Sequence, residues 1–378
     1  MFYGVLLLSI LLVPASGILV ILTIKSYSIY QFAKSRQDGV RGRIFRFDPD
    51  LGLATIPGSR GAQLFPIGPE IPHHFDENGF RIPADAPETA EITRPLVLAL
   101  GCSFSFGGGC PAEKAYGYLV GQALKGTTFN ASGPAYGLAQ MVILARKLIP
   151  RYKPELVLVQ YSPWLAERSQ TAFMPSWYGK EPGPYFARSS ENKLFIHPPV
   201  FRARVFDLPI SDYQFSAKTL RDFCSFSTEV ALPLYTYDSY QTGIYYTRRL
   251  LGIIPAPVNQ PELIVESAYE EIGKLCKENQ SRMVIVILTN TGYQRPPGPG
   301  EIARLNSMTD AIIVNAESAL VRNLPEKTQQ AYDRAYHQYR GNPPVLVYTH
   351  PNESAHQIIA EEILKTIQNR AILLKNNP

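Results

Sequence analysis

Residues 96–110 read LVLALGCSFSFGGGC, a run of five apolar residues that breaks into a glycine-framed Cys-Ser pair with a second glycine cluster behind it. A continuous apolar run ended by Gly reads as a strand buried on both faces, as parallel strands are, emptying into a tight turn. The turn holds up Ser103. A serine at the carboxyl end of a parallel strand sits where open α/β sheets place their ligands, beside a helix N-terminus whose free N–H groups can stabilise an oxyanion. The same serine would also serve as a plain helix cap, so its chemistry depends on what the rest of the chain brings to it.

Working outward from Pro95, apolar strands alternate with helical periods, the pattern of βαβ units around a parallel sheet. The expected strands are Leu96–Leu100, Thr127–Ala131, Leu156–Tyr161, Met283–Thr289 and Val345–Tyr348. The expected helices between them are Tyr116–Leu124, Gly137–Ile149, Pro261–Glu278, Gly300–Asn323 and Glu353–Leu374. Five such strands suffice for an α/β fold, a three-layer α/β/α sandwich with a five-stranded parallel sheet. The regularity fails over Pro163–Gln260, too long a stretch to be one structureless loop in a compact domain, which therefore reads as an insertion with short elements of its own. It follows the third strand on the Ser103 side of the sheet. Its aromatic residues, Trp164, Trp177, Tyr178, Tyr185 and Phe186 among them, are expected to wall a pocket there, or else to form a packing subdomain or partner surface.

Upstream, residues 44–94 are punctuated by Pro and Gly and read as an extended collar leading into the main domain at 95–378. His73 and His74 lie here, and on an extended chain adjacent side chains point apart, which argues against a metal site. Phe2–Ile24 carries no charge over about 23 residues, long enough for a transmembrane anchor over 1–24. Lys25, Lys34, Arg36, Arg41, Arg43 and Arg46 all follow it, so positive-inside alone would put the domain in the cytoplasm. The chain is 45% hydrophobic and 18% charged, which is globular, and its net charge of +5 is scattered enough to exclude a nucleic-acid groove. Four cysteines give no disulfide framework, and Cys224 and Cys276 read as core residues. No phosphate loop and no ligand-spaced His/Cys/Asp set is present, so neither cofactor nor metal is expected.

Four segments together carry a resemblance. FDPDLGLATIPGS with ENGFR (from Phe47) precedes the strand; GCSFSFG holds the serine; FNASGPAYGLAQ (from Phe129) and VYTHPNESAHQIIAEEIL (from Val347) follow. In these blocks the chain resembles the SGNH (GDSL-type) hydrolase superfamily of esterases and acyltransferases, over roughly Phe47–Pro163 and Met283–Gln368. The resemblance implies a flavodoxin-like fold, Ser103 rather than the adjacent Cys102 as nucleophile, and His350 as its base. It implies oxyanion donors at Ser103 and Ala135, with Gln160 or Ser162 standing in for the usual asparagine. The residues agree at the last block: Asn352 is a credible N-cap, and Ile358, Ile359, Ile363 and Ile367 make the apolar face of the helix behind it. His350 thus falls on a strand-to-helix loop at the sheet edge of Ser103, whereas His356, within the helix, reads as a packing or surface residue.

The departures are specific. Cys102 replaces the acidic residue of GDS, Ala135 the glycine of the second block, and QYSPWLAERS lacks the third block's asparagine. The carboxylate expected two or three positions before the histidine falls on Val347 or Tyr348, and Asp207 or Asp212 has no register to replace it. Loss of that carboxylate in a triad can cost about 10⁴ in rate. Two functions follow. One is a membrane-anchored serine esterase, deacetylase or O-acyltransferase working through a Ser103–His350 dyad, with Trp164, Trp177 and Tyr178 against an acylated carbohydrate or lipid. The habit of anchored members places such a domain on the outer, periplasmic or extracellular side. The other is a binding or assembly protein that keeps the scaffold with a decayed site and uses the insertion as a partner surface.

Overall fold

A computed structural model describes residues 2–35, 39–89, 91–175, 180–208, 213, 215, 219–290 and 299–369; within helices, residues 2–15, 18, 32, 35, 219, 299–302 and 308 are described by backbone alone. The chain builds a nine-stranded mixed sheet. Its centre is five parallel strands, in spatial order Thr128–Asn130, Val97–Leu100, Leu156–Tyr161, Arg282–Ile287 and Ile312–Asn315. All residues of Val97–Leu100 and Leu156–Tyr161 are buried, as their unbroken apolar runs require. In chain order the five strands lie 2-1-3-4-5. The order reverses between Val97–Leu100 and Leu156–Tyr161, so the crevice beyond their carboxyl ends is the sheet's natural ligand position.

Helices Tyr116–Ala123, Ala316–Arg322 and Glu353–Asn369 pack together as one layer, and Leu138–Tyr152 with Pro261–Glu278 as another. One continuous apolar core joins both layers to the sheet. The α/β class and the central parallel sheet are therefore as the sequence pattern implies, with two corrections. The fifth parallel strand is Ile312–Asn315, not Val345–Tyr348. The apolar period over Gly300–Asn323 predicts one helix, but Thr309-Asp310 interrupts it. The β-branched Ile312, Ile313 and Val314 then continue the sheet before helix Ala316–Arg322 begins. Val345–Tyr348 instead pairs antiparallel with Gln338–Arg340 in a small separate ribbon, where Val345 and Leu346 are exposed.

The collar is part of the sheet. Arg81–Ile82 runs antiparallel to Thr128–Asn130, and Ile71–Phe75, Arg60–Gln63 and Val40–Arg41 extend the sheet outward from it. At the N-terminus one helix spans Phe2–Ser35, past the boundary expected at 24. Among the described residues no helix is long and apolar enough to cross a membrane, and the side chains of 1–15, most of the expected anchor, lie outside them. Further along that helix Ile29, Tyr30 and Ala33 pack against Phe226, Val230 and Ala231 of the insertion.

The insertion has its own short elements, as expected of its length. These include helices Pro163–Arg168, Thr219–Phe226 and Leu232–Leu250, and the hairpin of Tyr185–Arg188 with Leu194–His197. Tyr185 and Phe186 are buried in cores, the first with Tyr245 and Ile254, so neither walls a cleft. Cys224 is exposed rather than internal, while Cys276 is buried; all four cysteines are free.

Candidate active site

The strand Val97–Leu100 ends at Gly101, where any side chain would strike Ser105 Oγ and the Gln160 carbonyl oxygen. That close approach is the reason for glycine. Cys102 takes extended backbone, and Ser103 opens a single helical turn, Ser103–Phe106, whose first N–H groups have no intrahelical partner. Three side chains from elsewhere in the sheet hold this turn. Gln160, on the neighbouring strand, accepts at its carbonyl oxygen from the Cys102 N–H (3.0 Å) and the Ser105 hydroxyl (2.8 Å). Asn130 donates to the Ser105 carbonyl at 3.1 Å. Arg81, fully buried, donates to the carbonyls of Phe106 (2.7 Å), Gly107 (2.8 Å) and Cys110 (2.7 Å). Burial holds the Arg81 guanidinium down to about 10, so it stays charged at neutral pH.

His350 reaches this turn from the far end of the chain. Asn352 caps the helix Glu353–Asn369 by accepting from the Ala355 N–H (3.0 Å), and its amide ties the loop to the carbonyls of Ala335 and His337. His350 Nε2 lies 2.8 Å from Ser103 Oγ. The Phe104 ring meets the imidazole edge-on at 4.9 Å, and Tyr348 stacks on it with centroids 3.8 Å apart and planes at 4°. Nδ1 is buried with no hydrogen-bond partner among the described residues. The imidazole's pKa is driven down to about 3, first by burial and then by the nearby Arg168, His337 and His356, so His350 is neutral at physiological pH, with a free nitrogen facing Ser103 but a weaker basicity than an ordinary imidazole.

The remaining residues singled out in the sequence divide. Gln160 lies in the same cluster, but its amide group donates to Ser162 Oγ (2.8 Å) and Cys102 Sγ (3.2 Å). Both amide hydrogens are thus engaged, and none remains for an oxyanion. Ser162 donates to the Leu288 carbonyl at 2.5 Å and is likewise engaged. Ala135 has φ +58°, the left-handed conformation that the glycine it replaces would adopt. Its loop is tied to the turn by the Gly133 N–H, which donates to the Gly101 carbonyl at 3.2 Å. Trp164 packs on Phe104 at 5.3 Å and so stands one ring from His350. Trp177, Tyr178 and Asp212 lie outside the described residues. Asp207 pairs with Arg202 on the surface at 2.7 Å.

Cys102 is fully buried, its sulfur accepting from Gln160. His356 is buried and stacks on Tyr116 at 5.8 Å, a packing residue. His73 and His74 do point apart: His73 is buried against Phe106, and His74 Nδ1 meets the Ala84 carbonyl. Among the described residues no group of His, Cys, Asp and Glu could hold a metal ion. Two contributors to the site went unread in the sequence, Arg81 and Tyr348. The first had a visible signal, an arginine in the otherwise ordinary ENGFR turn; an aromatic residue where a carboxylate is missing was the second.

No family model matches the sequence, and no curated protein matches it. Solved structures overlap its fold at low identity. They include TesA (12% identity, 72% of this chain and 98% of that one, TM-score 0.31) and the psychrotrophic esterase EstA from Pseudoalteromonas (13%, 73% and 98%, 0.33). An acetylxylan esterase from Geobacillus stearothermophilus is a third (10%, 73% and 94%, 0.36). At these TM-scores the likeness is one of outline, and the chemistry of this chain rests on its own geometry.

Proposed function

We propose that the protein is a serine esterase or O-acyltransferase of the SGNH type, working through a Ser103–His350 dyad. The observation that carries this reading is the 2.8 Å approach of His350 Nε2 to Ser103 Oγ, made by residues 247 positions apart and held by two otherwise unrelated loops. In the first step Ser103 Oγ attacks the acyl carbonyl carbon while its proton passes to His350 Nε2. The charge developing on the carbonyl oxygen is met by the N–H groups of Ser103 and Ala135. Collapse of the tetrahedral species breaks the ester C–O bond, and the leaving alkoxide takes the proton from His350. Water, or an acceptor hydroxyl in the transferase case, then attacks the acyl-enzyme by the same steps reversed.

The same proposal includes an acylated carbohydrate or lipid as substrate, with Trp164 against it, and membrane attachment through the uncharged Phe2–Ile24 with the domain on the outer side. The bare Nδ1 of His350 favours a second reading, a binding or assembly protein with a decayed site. A fluorophosphonate probe separates the two. The full-length protein should be labelled at Ser103 and should turn over a short-chain aryl ester. Ser103→Ala should abolish both, and His350→Ala should lower turnover by several orders of magnitude. Wild-type protein that is folded yet neither labelled nor active would favour the binding reading instead.

A further inference from the structure

We infer that Tyr348 is the positioning residue for His350, its ring face fixing the imidazole that no carboxylate holds; the inference rests on the dyad reading above. Three observations carry it. The two rings are almost coplanar in orientation and separated by 3.8 Å, so the imidazole lies flat on the phenol. Among the described residues, Nδ1 has no partner through which a hydrogen bond could set the ring's orientation. Tyr348 is itself held: Phe65 meets it edge-on at 5.7 Å, and Gly109 leaves room for it where a Cβ would come within 3.1 Å of the ring. Gly109 has φ +88° as well, so the position is closed to other residues on both grounds.

The chain of support runs from the collar through Phe65 to Tyr348, from Tyr348 to His350, and from His350 to Ser103. Phe104 closes the imidazole's edge at 4.9 Å. The imidazole plane is thereby set on one face by a close stack and at its edge by a T-shaped contact, the second being an arrangement that ring pairs prefer. A ring face is also electron-rich. When Ser103 gives up its proton, the imidazolium that forms lies over the Tyr348 π-system, an attraction of cation–π type in a place where a triad would offer a carboxylate. The contribution is smaller than a carboxylate's, and the charged Arg168 of the insertion opposes it. The other titratable groups facing His350, His337 before the small ribbon and His356 from the C-terminal helix, are both shifted down by burial and add to the opposition only where they protonate. A slow dyad with a defined geometry is the expected product.

The experiment uses full-length protein and the rate of fluorophosphonate labelling at Ser103 as a function of pH. Tyr348→Phe keeps the ring and should label within about threefold of wild type. Tyr348→Leu should label at least tenfold more slowly and gain an acid limb between pH 5 and 7, because water reaching the uncovered imidazole returns it toward its ordinary value near 6.5, whereas the wild-type base titrates near 3. Tyr348→Leu that labels like wild type with the same pH profile overturns the positioning role and leaves the dyad standing. Wild type that fails to label at Ser103 overturns both. A measurement on wild type alone guards against a variant that does not fold. With histidine-selective isotope labelling, the His350 ring protons should be shifted upfield by the Tyr348 face, and Tyr348→Phe should preserve that shift. Ring protons at ordinary positions in wild type would overturn the stack and the inference with it.

Discussion

The two halves of the site are held by different physics. On the serine side the backbone of the turn is fixed by hydrogen bonds from Gln160, Asn130 and Arg81, which between them satisfy the Cys102 N–H and the carbonyls of Ser105, Phe106, Gly107 and Cys110. On the histidine side the imidazole is held by rings, Tyr348 on its face and Phe104 at its edge, with Nδ1 unbonded. Hydrogen bonds in a buried network are steep in distance and angle, and an unpaired member is costly. Ring contacts are softer, and each is worth about 0.5–1.5 kcal/mol beyond burial. The serine should therefore be hard to displace and the histidine easier, so damage to the first half should register as lost stability and damage to the second as lost rate.

The largest effect tests the serine side. Arg81→Met keeps much of the apolar stem but leaves the Cys110 carbonyl without a donor among the described residues. It also takes the shortest hydrogen bond from Phe106, which keeps Asn130 at 3.4 Å, and from Gly107, which keeps the Cys110 N–H at 3.2 Å. Hydrogen bonds from a charged group are each worth about 1.5–3 kcal/mol. Relief of the buried charge offsets part of that. A net loss of about 3 kcal/mol in urea unfolding is expected. Phe104→Leu, on the histidine side, should cost about 1–2 kcal/mol while lowering turnover more than its stability loss explains. Equal stability losses from the two would break the contrast between a polar and an aromatic half.

A pH series sharpens the same contrast on a smaller scale. His350 and His356 titrate near 3 in the folded protein, and burial lowers His73 as well, against about 6.5 when unfolded. Below pH 6.5 the unfolded chain therefore binds protons that the folded chain refuses, so the stability these groups contribute is full above 6.5 and is lost progressively as pH falls toward 3. Each such histidine steepens the loss by about 1.4 kcal/mol per pH unit. His356→Phe should flatten the curve by roughly that slope between pH 6 and 4 without touching His350, the proposed base. Urea midpoints that fall in parallel for variant and wild type would mean that His356 is not held neutral by the fold.

How much of this was legible follows from the same division. The serine turn could be read because its signals are local: an apolar run, a glycine that only a close approach explains, and a serine behind it. His350 was legible through the Asn352 cap and the helix it opens. Gln160 lies in the cluster at the serine turn with both its amide hydrogens engaged, and a sequence shows that an amide is near but not which of its hydrogens are engaged. Strand Ile312–Asn315 was hidden inside a helical period, since a short apolar run fits either repeat until its β-branched residues are weighed against length. Tyr348 and Arg81 act through contacts with residues distant in the chain, Tyr348 with Phe65 and Arg81 with Cys110, so their local signals, an aromatic residue in a carboxylate's place and an arginine closing a turn, do not report their partners.

The smallest effect concerns Ala135, the proposed oxyanion donor on the serine side. Its φ of +58° puts a Cβ where L-residues are strained by about 1–2 kcal/mol, and the loop keeps that conformation because the Gly133 N–H and the Ala131 N–H tie it to the Gly101 and Ala99 carbonyls. Ala135→Gly removes the strain but adds about 0.5–1 kcal/mol of unfolded-chain entropy to be overcome on folding. The two nearly cancel, so the variant's stability should stay within about 1 kcal/mol of wild type, on the favourable side if either. Its labelling rate should be unchanged or slightly higher, since the proposed donor N–H follows the same backbone path with less opposition. A clear fall in both stability and labelling would mean that the Ala135 methyl packs against something the loop depends on. The donor would then have to be sought elsewhere on the serine side, at the free N–H groups of the Ser103–Phe106 turn.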